Sequence, residues 1–123
     1  MERKKILLVD DSSTVLLMEK MILSKGPYDL LTASDGQAGL DAAIAERPDL
    51  ILLDVVMPRM DGFEVCRRLR QREETRAVPV IVVTTRGELG SVETGYQSGC
   101  TDYVTKPISG LELLSKVKSY LGA

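Results

Sequence analysis

Blocks of aliphatic side chains punctuate the chain: Ile6-Leu7-Leu8-Val9, Leu50-Ile51-Leu52-Leu53 and Val80-Ile81-Val82-Val83. They do not alternate with polar residues. Strands of that kind are covered on both faces, as in a parallel sheet flanked by helices. Two mixed runs, Asp29-Leu30-Leu31-Thr32-Ala33 and Tyr103-Val104-Thr105, complete a set of five predicted strands. Helix-length segments separate them. Residues 12–25 place Val15, Met18 and Ile22 on one stripe and stop at Gly26-Pro27. Residues 36–46 are alanine-rich and stop before Pro48, and residues 61–71 group Phe63, Cys66 and Leu69. Residues 109–121 set Leu111, Leu114, Val117 and Leu121 at helical spacing behind Ser109, a candidate N-cap. Residues 88–98 give the weakest helix. Gly90 and Gly95 each cost about 1 kcal/mol relative to Ala, and only Leu89, Val92 and Tyr96 offer an apolar stripe. Low intrinsic stability suits an element that moves, and equally a short frayed surface helix. Strands alternating with helices predict an α/β fold with a doubly wound five-stranded parallel sheet, five helices and right-handed crossovers.

At 123 residues the expectation is one domain, residues 1–123, with a real core. Apolar residues form 44% and charged residues 28% of the chain, which argues against a disordered tail, a collagen-like repeat or a coiled coil. The net charge is −2, from 16 basic and 18 acidic residues, which argues against direct nucleic-acid binding. Histidine is absent and there are 2 cysteines. A structural zinc site, a serine–histidine triad and a phosphohistidine carrier all lack their ligands or bases. With no Trp and Phe63 as the only Phe, no aromatic platform for stacking bases is expected. No run approaches the length of a membrane span. The start, Met1-Glu2-Arg3-Lys4-Lys5, is charged, but the apolar run behind it ends after four residues at Asp10-Asp11, too soon for a signal peptide. A cytoplasmic protein is expected, with Cys66 and Cys100 as reduced small hydrophobes rather than a disulfide. Arg67, Arg68, Arg70, Arg72 and Arg76 are interleaved with Glu64, Glu73 and Glu74, and read as a solvated face.

Ligands of open parallel sheets bind beyond the carboxyl ends of the strands. There the first strand ends in Asp10-Asp11, the third in Asp54 and the fourth in Thr84-Thr85, and the fifth runs into Lys106-Pro107. Three carboxylates, a hydroxyl and an ammonium converge on one crevice. Crowded carboxylates repel, and a hard divalent cation offsets the repulsion. Mg²⁺ suits one or two carboxylates, waters and a phosphate. One carboxylate could then act as nucleophile and form an aspartyl phosphate, with Lys106 and Thr84 holding the transferred group. Asp11 or Ser12 could instead simply cap the first helix. For Asp54 a cap is less attractive, because Val55-Val56-Met57-Pro58 follows it.

These residues carry a family likeness. Ile6-Leu7-Leu8-Val9-Asp10-Asp11, Leu53-Asp54-Val55-Val56-Met57-Pro58-Arg59-Met60-Asp61-Gly62, Pro79-Val80-Ile81-Val82-Val83-Thr84 and Gly99-Cys100-Thr101-Asp102-Tyr103-Val104-Thr105-Lys106-Pro107 together resemble the receiver domain of two-component response regulators. The resemblance spans essentially the whole chain and is nearest the single-domain chemotaxis and sporulation type. It implies a flavodoxin-like three-layer sandwich with strand order 2-1-3-4-5. Asp54 matches the phospho-accepting aspartate. Asp11 matches the direct Mg²⁺ ligand and Asp10 the acidic partner acting largely through water. The backbone carbonyl of Val56 matches the third protein ligand, and Mn²⁺ could replace Mg²⁺. Lys106 matches the lysine that pairs with the phosphoryl group, Thr84 the hydroxyl that moves to it and Tyr103 the aromatic switch. The Lys106-Pro107 peptide is expected to be cis. Val56 and Arg86 stand where the family lines the path of the hydrolytic water. Neither can orient water as a carboxylate or carboxamide does, so slow self-dephosphorylation is expected.

The implied function is a phosphorelay switch rather than a turnover enzyme. A sensor histidine kinase or histidine phosphotransferase would donate to Asp54. The face formed by the fourth helix, fifth strand and fifth helix would then meet a target protein, as a monomer or a phosphorylation-dependent dimer. The expected partners include neither nucleic acid nor membrane. Three other readings compete. The first is a receiver-like interaction module that never takes phosphate. The second is a flavodoxin-like electron carrier, whose phosphate loop Asp10-Asp11 would repel. The third is a haloacid-dehalogenase-type phosphohydrolase, which needs an Asp where Ser12 stands.

Overall fold

The computed structural model describes residues 3–85 and 97–122. Strands β1 (Lys4–Val9), β2 (Tyr28–Ala33), β3 (Leu50–Asp54), β4 (Val80–Thr85) and β5 (Asp102–Lys106) form one sheet in the order β2-β1-β3-β4-β5. Every pairing is parallel. Helices α1 (Ser13–Leu23), α2 (Gly36–Glu46), α3 (Gly62–Arg70) and α4 (Gly110–Leu121) cover it. None of the described helices is long and apolar enough to cross a membrane.

The described residues contain four helices, which corrects the expectation of five. The helix expected over residues 88–98 falls almost wholly on residues 86–96, outside the described residues, as does Arg86. It had the poorest helical signal of the five, with two interior glycines and three apolar positions.

The unbroken aliphatic runs are explained by two cores. Leu7, Val9, Ile51, Leu53, Val80 and Val82 face α2 and α3, packing with Leu40, Val65, Cys66 and Leu69. The alternate residues Ile6, Leu8, Leu50, Leu52, Ile81, Val83 and Val104 face α1 and α4, packing with Leu23, Leu113 and Val117. Successive strand side chains point to opposite faces, and here both faces are buried.

The stripes expected for two helices hold only in part: Ile22 of α1 and Leu114, Val117 and Leu121 of α4 pack in the core, while Met18 and Leu111 turn outward. In α1 the buried residues are Glu19 and Leu23, while Met18 is 41% exposed. In α4 they are Leu113 and Val117, while Leu111 is 86% exposed. Apolar residues occupy positions 15 to 18 consecutively, so spacing alone could not choose which of them turns inward. The N-caps are Ser12, Asp35, Asp61 and Ser109, each accepting a backbone N–H from its own first turn.

Candidate functional site

The two-residue period that builds the cores also aims the site. Continuing Ile6 and Leu8 along β1 leads to Asp10, continuing Leu50 and Leu52 along β3 leads to Asp54, and continuing Val104 along β5 leads to Lys106. All three side chains therefore emerge on the α1 side of the sheet, at the carboxyl ends of their strands. Asp10 and Asp54 are buried, and Asp11 is exposed. Carboxylate oxygens of Asp10, Asp11 and Asp54 all lie within 4.8 Å of one another. The Lys106 Nζ donates to Asp54 Oδ1 at 3.1 Å and stands 3.8 Å from Asp10 Oδ2.

The local chain explains why these acids are available. Ser12, not Asp11, caps α1: its Oγ accepts the Val15 N–H at 3.3 Å. Asp10 Oδ1 accepts the Ser12 N–H at 2.9 Å, which fixes the Asp10 carboxylate. Its Oδ2 is buried and accepts no hydrogen bond. Asp54 is followed by a loop folded back on itself, with the Gly62 N–H donating to the Val55 carbonyl at 2.9 Å. Gly62 allows this: a Cβ there would lie 2.4 Å from the carbonyl oxygen of Asp54.

Burial, then the neighbouring Asp10, pushes the Asp54 carboxyl up to about 6 against the pull of Lys106. Asp10 is also raised, chiefly by burial, with the Ser12 N–H and Lys106 opposing. Burial alone would lower the Lys106 ammonium, but the hydrogen bond and charge of Asp54, with Asp10 and Glu19, hold it above its ordinary value. Clustered oxygen donors, a buried Asp10 oxygen that accepts no hydrogen bond and raised acid pKa values are the chemistry that a hard divalent cation satisfies. Among the described residues, Asp10, Asp11 and Asp54 are placed to hold one.

Thr84, Val56 and the Lys106-Pro107 peptide stand at or just beyond the carboxyl ends of strands, and Tyr103 packs against the core under α2 and α3. Thr84 is buried at the end of β4, with its Oγ1 3.4 Å from the Thr85 carbonyl oxygen. Val56 is 59% exposed. The Lys106-Pro107 peptide is cis. Tyr103 is half-buried, and the Lys116 Nζ sits 4.8 Å from its ring centroid. That ammonium also donates to the Tyr103 carbonyl and to Asp102 Oδ1, and Tyr120 donates to Asp102 Oδ2 at 3.0 Å.

Glu19 is the residue that sequence reasoning missed. It is 1% exposed in α1, and its Oε1 has no hydrogen-bond partner. Burial, then the charge of Asp10, pushes its carboxyl up to about 8, with Lys106 opposing and Asp54 adding. The signal was present: Glu19 lies three residues after Leu16 and four before Leu23, on the inward face of the helix.

Residues 6–118 match the family model of the response regulator receiver domain. The alkaline phosphatase synthesis transcriptional regulatory protein PhoP of Bacillus subtilis is 42% identical over 96% of this chain, which covers 48% of PhoP. The chain thus spans about half of that relative. A putative response regulator from Chloroflexus aurantiacus superposes with a TM-score of 0.93 at 31% identity, covering 99% of this chain and 100% of that one. The receiver domain of the sensor histidine kinase PA1611 from Pseudomonas aeruginosa, with a magnesium ion coordinated in its active-site cleft, gives 0.89 at 30% identity, covering 99% of this chain and 100% of that one. The expectation of no nucleic-acid partner loses its support here, because PhoP is by its name a transcriptional regulator; a small net charge does not speak for the rest of a longer protein. Sheet order, the acid cluster with its lysine and these likenesses agree: the chain belongs to the response regulator receiver domains of two-component phosphorelay signalling.

Proposed function

We propose that Asp54 accepts a phosphoryl group from a phosphohistidine on a sensor histidine kinase or histidine phosphotransferase. The observation that carries this reading is the buried Asp54, crowded by Asp10 and Asp11 and hydrogen-bonded by Lys106. In the transfer the P–N bond of the donor breaks, a P–O bond to an Asp54 oxygen forms and the freed imidazole nitrogen takes a proton. Asp10, Asp11, Asp54 and the Val56 carbonyl would hold Mg²⁺, or Mn²⁺ in its place. The bound cation supplies charge neutralisation that lets an anionic carboxylate approach an anionic phosphate.

Lys106 releases Asp54 and pairs with the phosphoryl oxygens, and Thr84 supplies a second donor. Tyr103, leaving its place beside Lys116, carries the change to β5 and α4. That face, with the segment between β4 and β5, would engage the output: a target protein, a second copy or a following effector domain that reads nucleic acid. The reading makes the chain a cytoplasmic switch rather than a turnover enzyme. Val56, apolar and 59% exposed, offers no group to orient a hydrolytic water, so the acyl phosphate should be long-lived. A Val56→Asn variant that leaves its lifetime unchanged would refute that last point.

The test is intact mass after acetyl phosphate with Mg²⁺. The wild type should gain about 80 Da, one phosphoryl group. Asp54→Ala, or the wild type with a chelator, should gain nothing. A gain in Asp54→Ala equal to that of the wild type would overturn the assignment.

A further inference from the structure

Away from the acid cluster, two sulfurs meet in the opposite core. Cys66, in the middle of α3, is 0% exposed, and Cys100, in the turn before β5, is 8% exposed. Both are free thiols, and their Sγ atoms are 3.1 Å apart and hydrogen-bonded to each other. The partners are 34 residues apart in sequence, so the contact is made by the tertiary fold and not by local chain geometry.

The surroundings hold this pair in register. The Arg67 Nη1 donates to Ser98 Oγ at 3.0 Å. The Arg70 Nε donates to the Gly99 carbonyl at 2.9 Å, and its Nη2 reaches Thr101 Oγ1 at 3.4 Å. Gly99 has φ +102°, and a Cβ there would lie 2.6 Å from Arg70 Cγ, so glycine lets the arginine stem lie across the turn. Residues 98, 99 and 101 are thus clamped to α3 on both sides of Cys100. A disulfide has an S–S bond of about 2.05 Å, so closure needs the two sulfurs to approach by about 1 Å.

We propose that Cys66 and Cys100 form a reversible oxidation site, a dithiol that a hydroperoxide converts into an intramolecular disulfide joining α3 to the turn that precedes β5. Cys100 is the attacking sulfur. It is the more exposed of the two cysteines, and the Arg70 guanidinium that spans the turn beside it favours the thiolate. The Cys100 thiol gives its proton to solvent. The thiolate attacks one peroxide oxygen, the O–O bond breaks, and the leaving oxygen takes a proton to become an alcohol or water. Cys100 is now a sulfenic acid. The Cys66 sulfur attacks it, the S–O bond breaks, and the hydroxyl leaves as water with the Cys66 proton. Two thiols are oxidised and one hydroperoxide is reduced. A dithiol reductant reverses the bond.

The test treats the full chain with hydrogen peroxide at near-stoichiometric dose, denatures it in an alkylating agent and maps its peptides. The expected product is a monomer in which both cysteines resist alkylation and the peptides bearing Cys66 and Cys100 are linked, with a loss of two hydrogens, about 2 Da. Dithiothreitol should restore both alkylations. The cross-linked form should melt about 5 °C or more above the reduced form, since the bond closes a loop through β4. In Cys66→Ala, dimedone should trap a sulfenic acid at Cys100. Alkylation of both thiols after peroxide, oxidation of each only to sulfinic or sulfonic acid, or a bond between two chains would each overturn the proposal. These wild-type readouts decide it even if an alanine variant fails to fold.

Discussion

Among the places where acids meet basic side chains, two behave in opposite ways. On the surface of α3, Glu64 accepts from Arg67 at 2.9 Å and from Arg68 at 2.9 Å. Those bonds, Arg68's first, hold its carboxyl below the usual range. At the ends of β1 and β3, Asp10 and Asp54 face one lysine, and both are raised. The difference is solvent. Water screens the surface group, so each extra partner only helps a little. The buried group has lost its water and has more acids than cations, so its charge is held at a cost that a further cation would relieve. Close ion pairs alone do not mark a functional site. An unbalanced set in a dry place does.

Four measurements would break or sharpen that contrast. The largest effect is expected from Lys106→Ala, which removes the only ammonium recorded against Asp54 among the described residues. Phosphorylation of Asp54 by acetyl phosphate should slow about 10²–10³-fold, the usual loss for one positioned oxyanion donor; an unchanged rate would show that the lysine serves packing alone. Mg²⁺ comes next. At about 100 times its dissociation constant it should stabilise the fold by about 2.7 kcal/mol at pH 8, read by urea unfolding. The gain should shrink at pH 5, below the value of about 6 at which Asp54 takes up its proton.

Glu19 gives the third. Its ordinary value of 4.5 becomes about 8 in the folded chain, so between these limits the native state binds a proton that the unfolded state has released. Stability must therefore fall as pH rises through 4.5 to 8: this contribution is intact below the window and gone above it. Glu19→Leu should flatten that slope in metal-free protein and add about 1–3 kcal/mol at pH 8, because an apolar side chain replaces a buried carboxylate with an unpartnered oxygen. An equal slope in the variant would place the titration elsewhere. The smallest effect belongs to the surface group: Glu64→Ala should move Tm by no more than about 2 °C, and less in high salt.

The same contrast explains what could be read from the sequence. Strands buried on both faces write themselves as unbroken aliphatic runs, so Leu50 to Leu53 and Val80 to Val83 were legible. Parallel strands bring their carboxyl ends to one edge, so the runs themselves imply that Asp10, Asp54 and Lys106 meet. Helix phase was not legible where apolar residues surround the helix, as in α1 and at Leu111 of α4. Whether Asp11 or Ser12 capped α1 stayed open, because either side chain can accept the same N–H; the fold gave that bond to Ser12 and left Asp11 to the cluster. Glu19 is easily passed over for a related reason. A glutamate in a helix reads as a solvent residue, and only the inward turn fixed by Leu16 and Leu23 overrules that.

Gly62 sets a clearance. The first turn of α3 abuts the carbonyl of Asp54 so tightly that one methyl group at position 62 would collide with it. A larger residue must push either the helix or Asp54 out of place. In a mutational screen for lost signalling, this position should therefore score as severely as the acids themselves, although it holds no proton, binds no ion and touches no phosphate. Such a screen would map the shape that carries the chemistry along with the chemistry itself.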